Sequence, residues 1–101
     1  MTKADLIAML EKQASVPHKH AETIVNIVFE SMIKTLYDDG RIEIRGFGSF
    51  ANRCYKAYKG RNPKTGKIVK VPPKKVPFFK VGKELKERVD LSKEKYHIQD
   101  D

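Results

Sequence analysis

The sequence of 101 residues contains a single cysteine, Cys54, and no apolar run that approaches the roughly 20 residues of a membrane span. One cysteine excludes an internal disulfide and a cysteine cluster for a metal ion, so its thiol is either a filler or a regulatory group. The first residues also lack the apolar core of a secretory signal. We therefore expect a cytoplasmic protein without membrane partners.

A set of catalytic residues is also missing. His18, His20 and His97 are widely separated, and the Asp38-Asp39 pair stands at a helix end without a base or a nucleophile nearby. The sequence contains no phosphate-binding glycine loop and no metal-ligand spacing. We therefore expect a protein that is not an enzyme and that binds no cofactor, metal or small-molecule substrate.

Acidic residues are absent between Glu43 and Glu84, which concentrates the positive charge there. The formal net charge is +8, and twelve of the 21 basic residues lie in this segment. The rest of the chain holds the other 9 basic residues against 13 acidic ones, a balance of −4. Such a concentrated field favours phosphate binding, because each neutralised phosphate releases condensed counterions.

The middle of this basic segment is predicted to be the tip of a β-hairpin. Residues 60–66 are Gly-Arg-Asn-Pro-Lys-Thr-Gly. Pro63 fixes its own φ, while Asn62 and Thr65 can bond their own backbone. Charged limbs run outward over residues 52–59 and back over residues 67–75. Since an extended residue spans about 3.3 Å, each limb reaches roughly 30 Å. We call residues 52–75 the arm.

Two helices are predicted ahead of the arm. Thr2, followed three residues later by Asp5, resembles a capping box, and apolar residues then recur at helical spacing over about residues 3–14. Pro17 suits the first position of a second helix, which runs to a stop at residues 38–40.

The apolar residues of the second helix cover too wide an arc for one small core. Ile24, Val28 and Leu36 would serve one face, while Ile27 and Phe29 point elsewhere. A chain this short buries only about 60–65% of its unfolded surface. The additional face indicates a partner chain, the alternative being burial entirely within one chain.

A sheet and a last helix are predicted on either side of the arm. The elements are a strand at residues 41–45, a second strand that continues into the arm, an edge strand at residues 76–80 and a helix at residues 83–91. Phe47 and Phe50, interleaved with glycines, are expected to anchor the core, and Pro72-Pro73 to interrupt strand pairing. Residues 92–101 form a polar tail.

These motifs, in this order and at these separations, resemble the bacterial HU and integration host factor family of DNA-bending proteins. The resemblance covers roughly residues 2–90 and includes Gly-Phe-Gly-Ser-Phe, the arm tip and Val-Pro-Phe-Phe-Lys-Val-Gly-Lys-Glu-Leu. It implies an α+β fold with an N-terminal helical hairpin, a three-stranded antiparallel sheet with a protruding β-arm and a C-terminal helix. It also implies an intertwined dimer whose arms embrace duplex DNA through the minor groove, and a place in the nucleoid. One DNA-binding domain is expected over residues 1–91.

In that family the proline of the arm tip wedges between base pairs, which assigns the role to Pro63 here; the alternative is that Pro63 only shapes the turn. The predicted DNA-binding residues are Arg61, Asn62, Pro63, Lys64, Arg53, Lys56, Lys59, Lys67, Lys70, Lys74, Lys75, Lys80, Lys83, Lys86 and Lys3. The predicted dimer core consists of Phe29, Phe47, Phe50 and Phe79. Asn62 either contacts a base edge or caps the turn, and Lys3 and Lys86 either meet phosphate or are plain surface residues.

Two positions depart from the family pattern. Tyr55 and Tyr58 replace the usual arginines of the outgoing limb, and either stack on sugars or pair across the strands. Asn26 replaces an acid that often pairs with the lysine near the N-terminus, which would leave Lys3 freer to meet phosphate.

Weak sequence specificity, governed by DNA deformability, is expected because phosphate contacts carry little sequence information. Two alternatives stay open. The chain is a homodimer or one subunit of a sequence-preferring heterodimer with a paralogue. Its basic charge would also serve an RNA-binding protein, although duplex RNA has a wide, shallow minor groove that suits a long arm less well.

Overall fold

The computed structural model describes residues 1–99 and confirms the α+β class. In chain order the elements are α1 (Lys3–Ala14), α2 (His18–Tyr37), β1 (Ile42–Ile44), β2 (Gly48–Tyr55), β3 (Tyr58–Arg61), β4 (Ile68–Val71), β5 (Lys74–Val81) and α3 (Lys83–Leu91). The chain forms two compact units, Met1–Asp38 and Asp39–Asp101. The tail begins with a 3₁₀ turn at Ser92–Glu94, and its residues 100 and 101 lie outside the described part of the chain.

The predicted capping box starts α1. The Thr2 hydroxyl accepts a hydrogen bond of 3.1 Å from the Asp5 amide, and the Asp5 carboxylate accepts one of 2.8 Å from the Thr2 amide. The helix ends at Ala14 and is followed by the C-cap Ser15, whose φ of 52° is left-handed. Pro17 is the N-cap of α2 and not its first residue as predicted, because its ψ of 151° is extended.

The core of the helical unit is small and uses one row of α2. Ala21 and Val25 of α2 are buried together with Ile7 of α1. The small side chain of Ala21 allows the two helices to approach closely, so the contact follows the Ala21–Val25 row. Ile24 and Val28 are 43% and 51% exposed, so the apolar arc of α2 extends beyond this small core, as its width predicts.

His18, the first residue of α2, contacts a carboxylate on each of the two helices. Its Nδ1 lies 3.0 Å from Oε2 of Glu11, and its Nε2 lies 3.6 Å from Oε2 of Glu22. The hydrogen bond to Glu11 and the charge of that carboxylate raise the pKa of His18 above its ordinary value. Protonated His18 therefore holds the start of α2 against α1 more strongly than neutral His18.

The sheet has the order β1-β2-β5, with both pairs antiparallel, so β5 is at an edge as predicted. It is longer than the predicted strand at residues 76–80. On one face the ring of Phe79 lies with its centroid 4.8 Å from that of Phe50 and 5.3 Å from that of Phe47. These three rings form the aromatic cluster of the sheet.

Gly48 of β2, which pairs with Val81 of β5, has no room for a side chain. A Cβ atom at this position would lie 2.5 Å from the Lys80 carbonyl oxygen and 2.6 Å from Cε1 of Phe79. Gly60, also in a strand, would place a Cβ at 3.5 Å from Tyr58, which is ordinary van der Waals contact. Of these two strand glycines, Gly48 is therefore the one required by close packing.

Replacing Gly48 with alanine should lower the free energy of unfolding by about 1–3 kcal/mol, because backbone and ring atoms must shift to admit the methyl group. Gly60→Ala is the matched control and should change it by less than about 0.5 kcal/mol. Urea unfolding of both variants measures the difference. Equal stabilities would show that the β2–β5 contact at Gly48 is looser than the structure indicates.

Across residues 1–99, none of the helices combines the length and the apolar character that crossing a bilayer requires.

Candidate nucleic-acid interface

The tip of the arm is a tight turn at residues 62–67. The Asn62 amide donates a hydrogen bond of 2.8 Å to the Lys67 carbonyl, and the Gly66 amide donates one of 2.8 Å to the Asn62 carbonyl. Gly66 has a φ of +73°, a conformation that favours glycine. Gly60 lies instead within β3, opposite Val69 in β4, so only one of the two glycines serves the turn.

Asn62 and Thr65 bond their own backbone as predicted. Oδ1 of Asn62 accepts a hydrogen bond of 2.9 Å from the Lys64 amide, and Oγ1 of Thr65 accepts one of 3.4 Å from the Lys67 amide. Asn62 therefore caps the turn, and its contact with a base edge stays a prediction. These bonds hold Pro63 exposed at the apex, between the exposed side chains of Arg61 and Lys64.

The limbs of the arm consist of two successive antiparallel ribbons. The first is formed by the outer half of β2 with β5, where Tyr55 pairs with Lys74, and the second by β3 with β4, where Arg61 pairs with Ile68. Pairing is interrupted at residues 56–57 and at Pro72-Pro73. The second interruption confirms the prediction, since proline has no amide hydrogen for the ladder.

Positive side chains along the arm, and Lys80 farther along β5, are exposed and mostly lack anionic partners. Arg53, Lys56, Lys59, Arg61, Lys64, Lys67, Lys70, Lys74, Lys75 and Lys80 are all exposed. Of these, only Lys75 has a carboxylate within ion-pair distance in the part of the chain that the structure describes. The free positive charges repel one another, so the arm is electrostatically complementary to a polyanion.

The exception, Lys75, lies at the base of the arm. Its Nζ is 3.3 Å from Oδ1 of Asp39, and the Asn52 amide donates a hydrogen bond of 3.1 Å to the same oxygen. The hydrogen bond from Asn52, together with Lys75, lowers the pKa of the Asp39 carboxyl. The backbone of Asp39 is in the uncommon left-handed region, with a φ of 61°. Its carboxylate thus connects the loop before β1 to both limbs of the arm.

One face of the β2–β5 ribbon is cationic and aromatic. Side chains alternate along a strand, so Arg53 and Tyr55 share a face with Lys74, Phe78 and Lys80. Cζ of Arg53 lies 3.5 Å from the centroid of the Phe78 ring, and Nζ of Lys74 lies 5.9 Å from that of Tyr55.

These contacts show how the two tyrosines of the outgoing limb are placed. Tyr55 pairs with Lys74, and Tyr58 lies opposite Val71 in the β3–β4 ribbon. Both tyrosines therefore have cross-strand partners, and their stacking on sugars stays a prediction. The sequence did not indicate a role for Phe78, because its contact with Arg53 depends on the register between β2 and β5.

Apart from Lys80 in β5, the predicted contacts outside the arm lie at helix starts. Lys83 is the first residue of α3, Lys86 follows one turn later, and Lys3 is the first residue of α1 in the helical unit. No carboxylate of residues 1–99 lies within ion-pair distance of these three lysines. Oδ1 of Asn26 is buried without a hydrogen-bond partner in the described chain, so Asn26 does not engage Lys3 through that oxygen.

The predicted dimer-core residues are divided between the two units. Phe47, Phe50 and Phe79 form the aromatic cluster of the sheet, and Phe29 lies on α2. Among residues 1–99, only Ile7, Ala21 and Val25 are buried, and all three belong to the helical unit. The described part of the unit that starts at Asp39 therefore has no fully buried residue of its own.

Comparison with known proteins agrees with this geometry. Residues 1–90 match the family described as bacterial DNA-binding protein. The chain is 52% identical over 94 residues to integration host factor subunit beta of Halorhodospira halophila, with 92% of each chain covered. It is 50% identical over 97 residues to the same subunit of Chromobacterium violaceum, with 91% of this chain and 93% of the relative covered.

Solved structures show the same fold. HU of Anabaena, in a cocrystal with DNA, has a TM-score of 0.81 and 36% identity, with 88% of this chain and 97% of that chain covered. HU of Thermotoga maritima has a TM-score of 0.60 and 29% identity, with 88% and 98% covered. The chain belongs to the bacterial DNA-binding protein family of HU and integration host factor.

Proposed function

We propose that this protein is an architectural DNA-binding protein that bends and compacts duplex DNA through its β-arm in the minor groove, largely without sequence specificity. The observation that carries this proposal is the arm itself, a thin ribbon with exposed, unpaired cations and Pro63 at its apex. Proteins that bind the minor groove frequently insert an apolar wedge between base steps, and a proline at the apex of a basic ribbon fits that mode of binding. The related Anabaena HU, which was crystallised with DNA, supports the assignment.

Pro63 acts as a wedge in this proposal. It is rigid, apolar and without an amide hydrogen, so inserting it into a base step leaves no donor unsatisfied. The insertion costs the unstacking of that step, a few kcal/mol, and phosphate contacts on the bent duplex offset this cost. Arg61 and Lys64 flank the wedge and supply the nearest of these contacts. The lysines of the arm and of the helix starts bind phosphates on either side of the bend.

A dimer completes the hydrophobic core. Large apolar residues are exposed in both units, among them Ile27 and Phe29 on α2 and Phe47 beside the sheet. Burial of apolar surface contributes roughly 25 cal/mol per Å², so their exposure in a single chain favours association. We assign Phe29, Phe47, Phe50 and Phe79 to the shared core. Residues 1–91 then form one DNA-binding domain of an intertwined dimer in the nucleoid, and residues 92–101 form its polar tail.

Competition with a minor-groove drug tests the groove assignment. Saturating an A·T-rich duplex with the drug should displace the protein, because both ligands occupy the same groove. Duplex RNA of matched sequence is the control and should bind more weakly, since its minor groove is wide and shallow. Undiminished binding to the drug-saturated duplex would contradict the minor-groove assignment, and stronger binding to RNA would favour the RNA-binding alternative.

A second candidate function is one subunit of a sequence-preferring heterodimer. It is favoured by the relatives at 50–52% identity, which are named as beta subunits of integration host factor. The mass of the purified chain in sedimentation equilibrium separates the two candidates. A homodimer should have twice the chain mass of 11.6 kDa. A monomer that pairs only after a paralogous chain is added would support the heterodimer.

A further inference from the structure

We propose that Phe78 is a positioning residue, which holds the guanidinium of Arg53 ready to bind a backbone phosphate on the exposed face of β2 and β5. The inference rests on the proposed DNA-binding function and extends it to one pair of side chains. Phe78 itself needs no contact with DNA in this arrangement, since it acts through Arg53.

The strand register brings the two residues together. Phe78 pairs with Ala51, and Arg53 pairs with Val76, so Arg53 and Phe78 are diagonal neighbours on one face. Diagonal neighbours lie about 7–8 Å apart, within reach of a long side chain. The measured separation of 3.5 Å between Cζ of Arg53 and the ring centroid is therefore a direct contact.

Core packing does not account for Phe78. The adjacent Phe79 points to the opposite face, where it joins Phe47 and Phe50. Phe78 is 40% exposed on the cationic face, where its ring supports Arg53 instead of filling a core. An exposed aromatic ring beneath an arginine is consistent with a role in holding that arginine.

The stacked geometry leaves the hydrogen-bond donors of Arg53 available. At 3.5 Å the guanidinium must lie nearly parallel to the ring, because a perpendicular group would bring a nitrogen too close to the ring carbons. Stacking then covers one flat side of the guanidinium, whereas its five N–H groups lie in its plane. Arg53 has no carboxylate within ion-pair distance among residues 1–99. A planar fork held in this way suits bidentate binding of phosphate.

The surroundings of Arg53 also favour an anion. Arg53, Lys80 and Arg41 line an open groove of about 240 Å³ on this face. The charge of Arg41 is already compensated, because its Nε lies 2.9 Å from Oε1 of Glu43. Arg53 and Lys80 retain uncompensated charges beside the groove. A phosphodiester of duplex DNA is the ligand class that this charge and this donor geometry fit.

A double-mutant cycle with Arg53 tests the inference. Phe78→Leu keeps an apolar side chain but removes the ring, and should weaken binding of the full-length protein to a duplex about 2- to 5-fold per chain, the range expected for an exposed cation–π contact. In an Arg53→Ala background the same substitution should leave Kd unchanged. Phe78→Tyr, which keeps the ring, should bind like the wild type. Fluorescence anisotropy at fixed salt measures each Kd.

A purely structural role for Phe78 predicts equal losses in both backgrounds, and that result would overturn the inference. So would an unchanged Kd for Phe78→Leu when Arg53 is present. Arg53→Lys provides a second route that leaves Phe78 in place. It keeps the charge but loses the planar fork, so it should weaken binding, and adding Phe78→Leu should then have a smaller effect than in the wild type.

Failure of this inference is distinguishable from failure of the proposed function. A wild-type protein that does not bind duplex DNA contradicts the proposed function itself. A wild-type protein that binds duplex DNA, combined with additive effects of the Phe78 and Arg53 substitutions, contradicts only the positioning role of Phe78.

Discussion

Replacing Pro63 with alanine is expected to reduce the bend of bound DNA while most of the binding affinity remains. The exposed cations of the arm stay in place, so phosphate contacts persist. Alanine lacks the rigid ring that separates two base pairs. The base step therefore stays stacked, the unstacking cost of a few kcal/mol does not arise, and the kink is lost. Energy transfer between dyes at the two ends of a duplex measures the bend, and anisotropy on the same duplex measures the affinity.

Pro73→Ala is the matched control for this experiment. Pro73 is exposed on the same arm, in the break between β4 and β5 and away from the tip. It should leave the bend close to that of the wild type. An unchanged bend in Pro63→Ala would remove the wedge from the mechanism, and an equal loss in Pro73→Ala would attribute the effect to the shape of the arm.

Binding is expected to weaken steeply with salt. If the arms and helix starts of a dimer together neutralise 6–10 phosphates, affinity should fall about 10³- to 10⁵-fold between 50 and 200 mM salt. Changing Arg61 and Lys64 to glutamine removes two contacts per arm. This should make the slope of log affinity against log salt less negative by about 1.8 per arm, because each phosphate contact contributes about 0.9. Titrations at four or more salt concentrations give the slope.

Lysines that are already ion-paired supply the charge-matched control. Nζ of Lys34 lies 2.9 Å from Oδ2 of Asp38, and Nζ of Lys93 lies 3.2 Å from Oδ2 of Asp90. Changing both to glutamine removes the same formal charge as the arm variant but should leave the slope unchanged. Equal slope changes in the two double variants would mean that net charge, and not the arm, determines binding.

Features with a local physical cause were predictable from the sequence. The capping box at Thr2 and Asp5 fixed the start of α1 correctly, because its hydrogen bonds join residues three apart. The turn around Pro63 and the break at Pro72-Pro73 were also predicted, since proline and glycine restrict the backbone at their own positions. The candidate cations were also predictable, because the absence of acidic residues between Glu43 and Glu84 can be read directly from the sequence.

Features that depend on which side chains meet across elements were not predictable in the same way. Of the wide apolar arc of α2, the residues buried against α1 are Ala21 and Val25, because helix contact depends on close approach as well as on hydropathy. The aromatic support of Arg53 by Phe78 required the β2–β5 register, as did the link from Asp39 to Lys75 at the base of the arm.

The sequence by itself determined the order of the elements, the basic arm with its proline tip and the family, because turns, caps and charge are encoded in adjacent residues. The tertiary structure alone decided which cations of the arm lack a carboxylate, that Lys75 is held by Asp39 and that Arg53 is stacked on Phe78. A shift of one residue in strand register moves every side chain to the other face, so these contacts are set by pairing between segments distant in the chain.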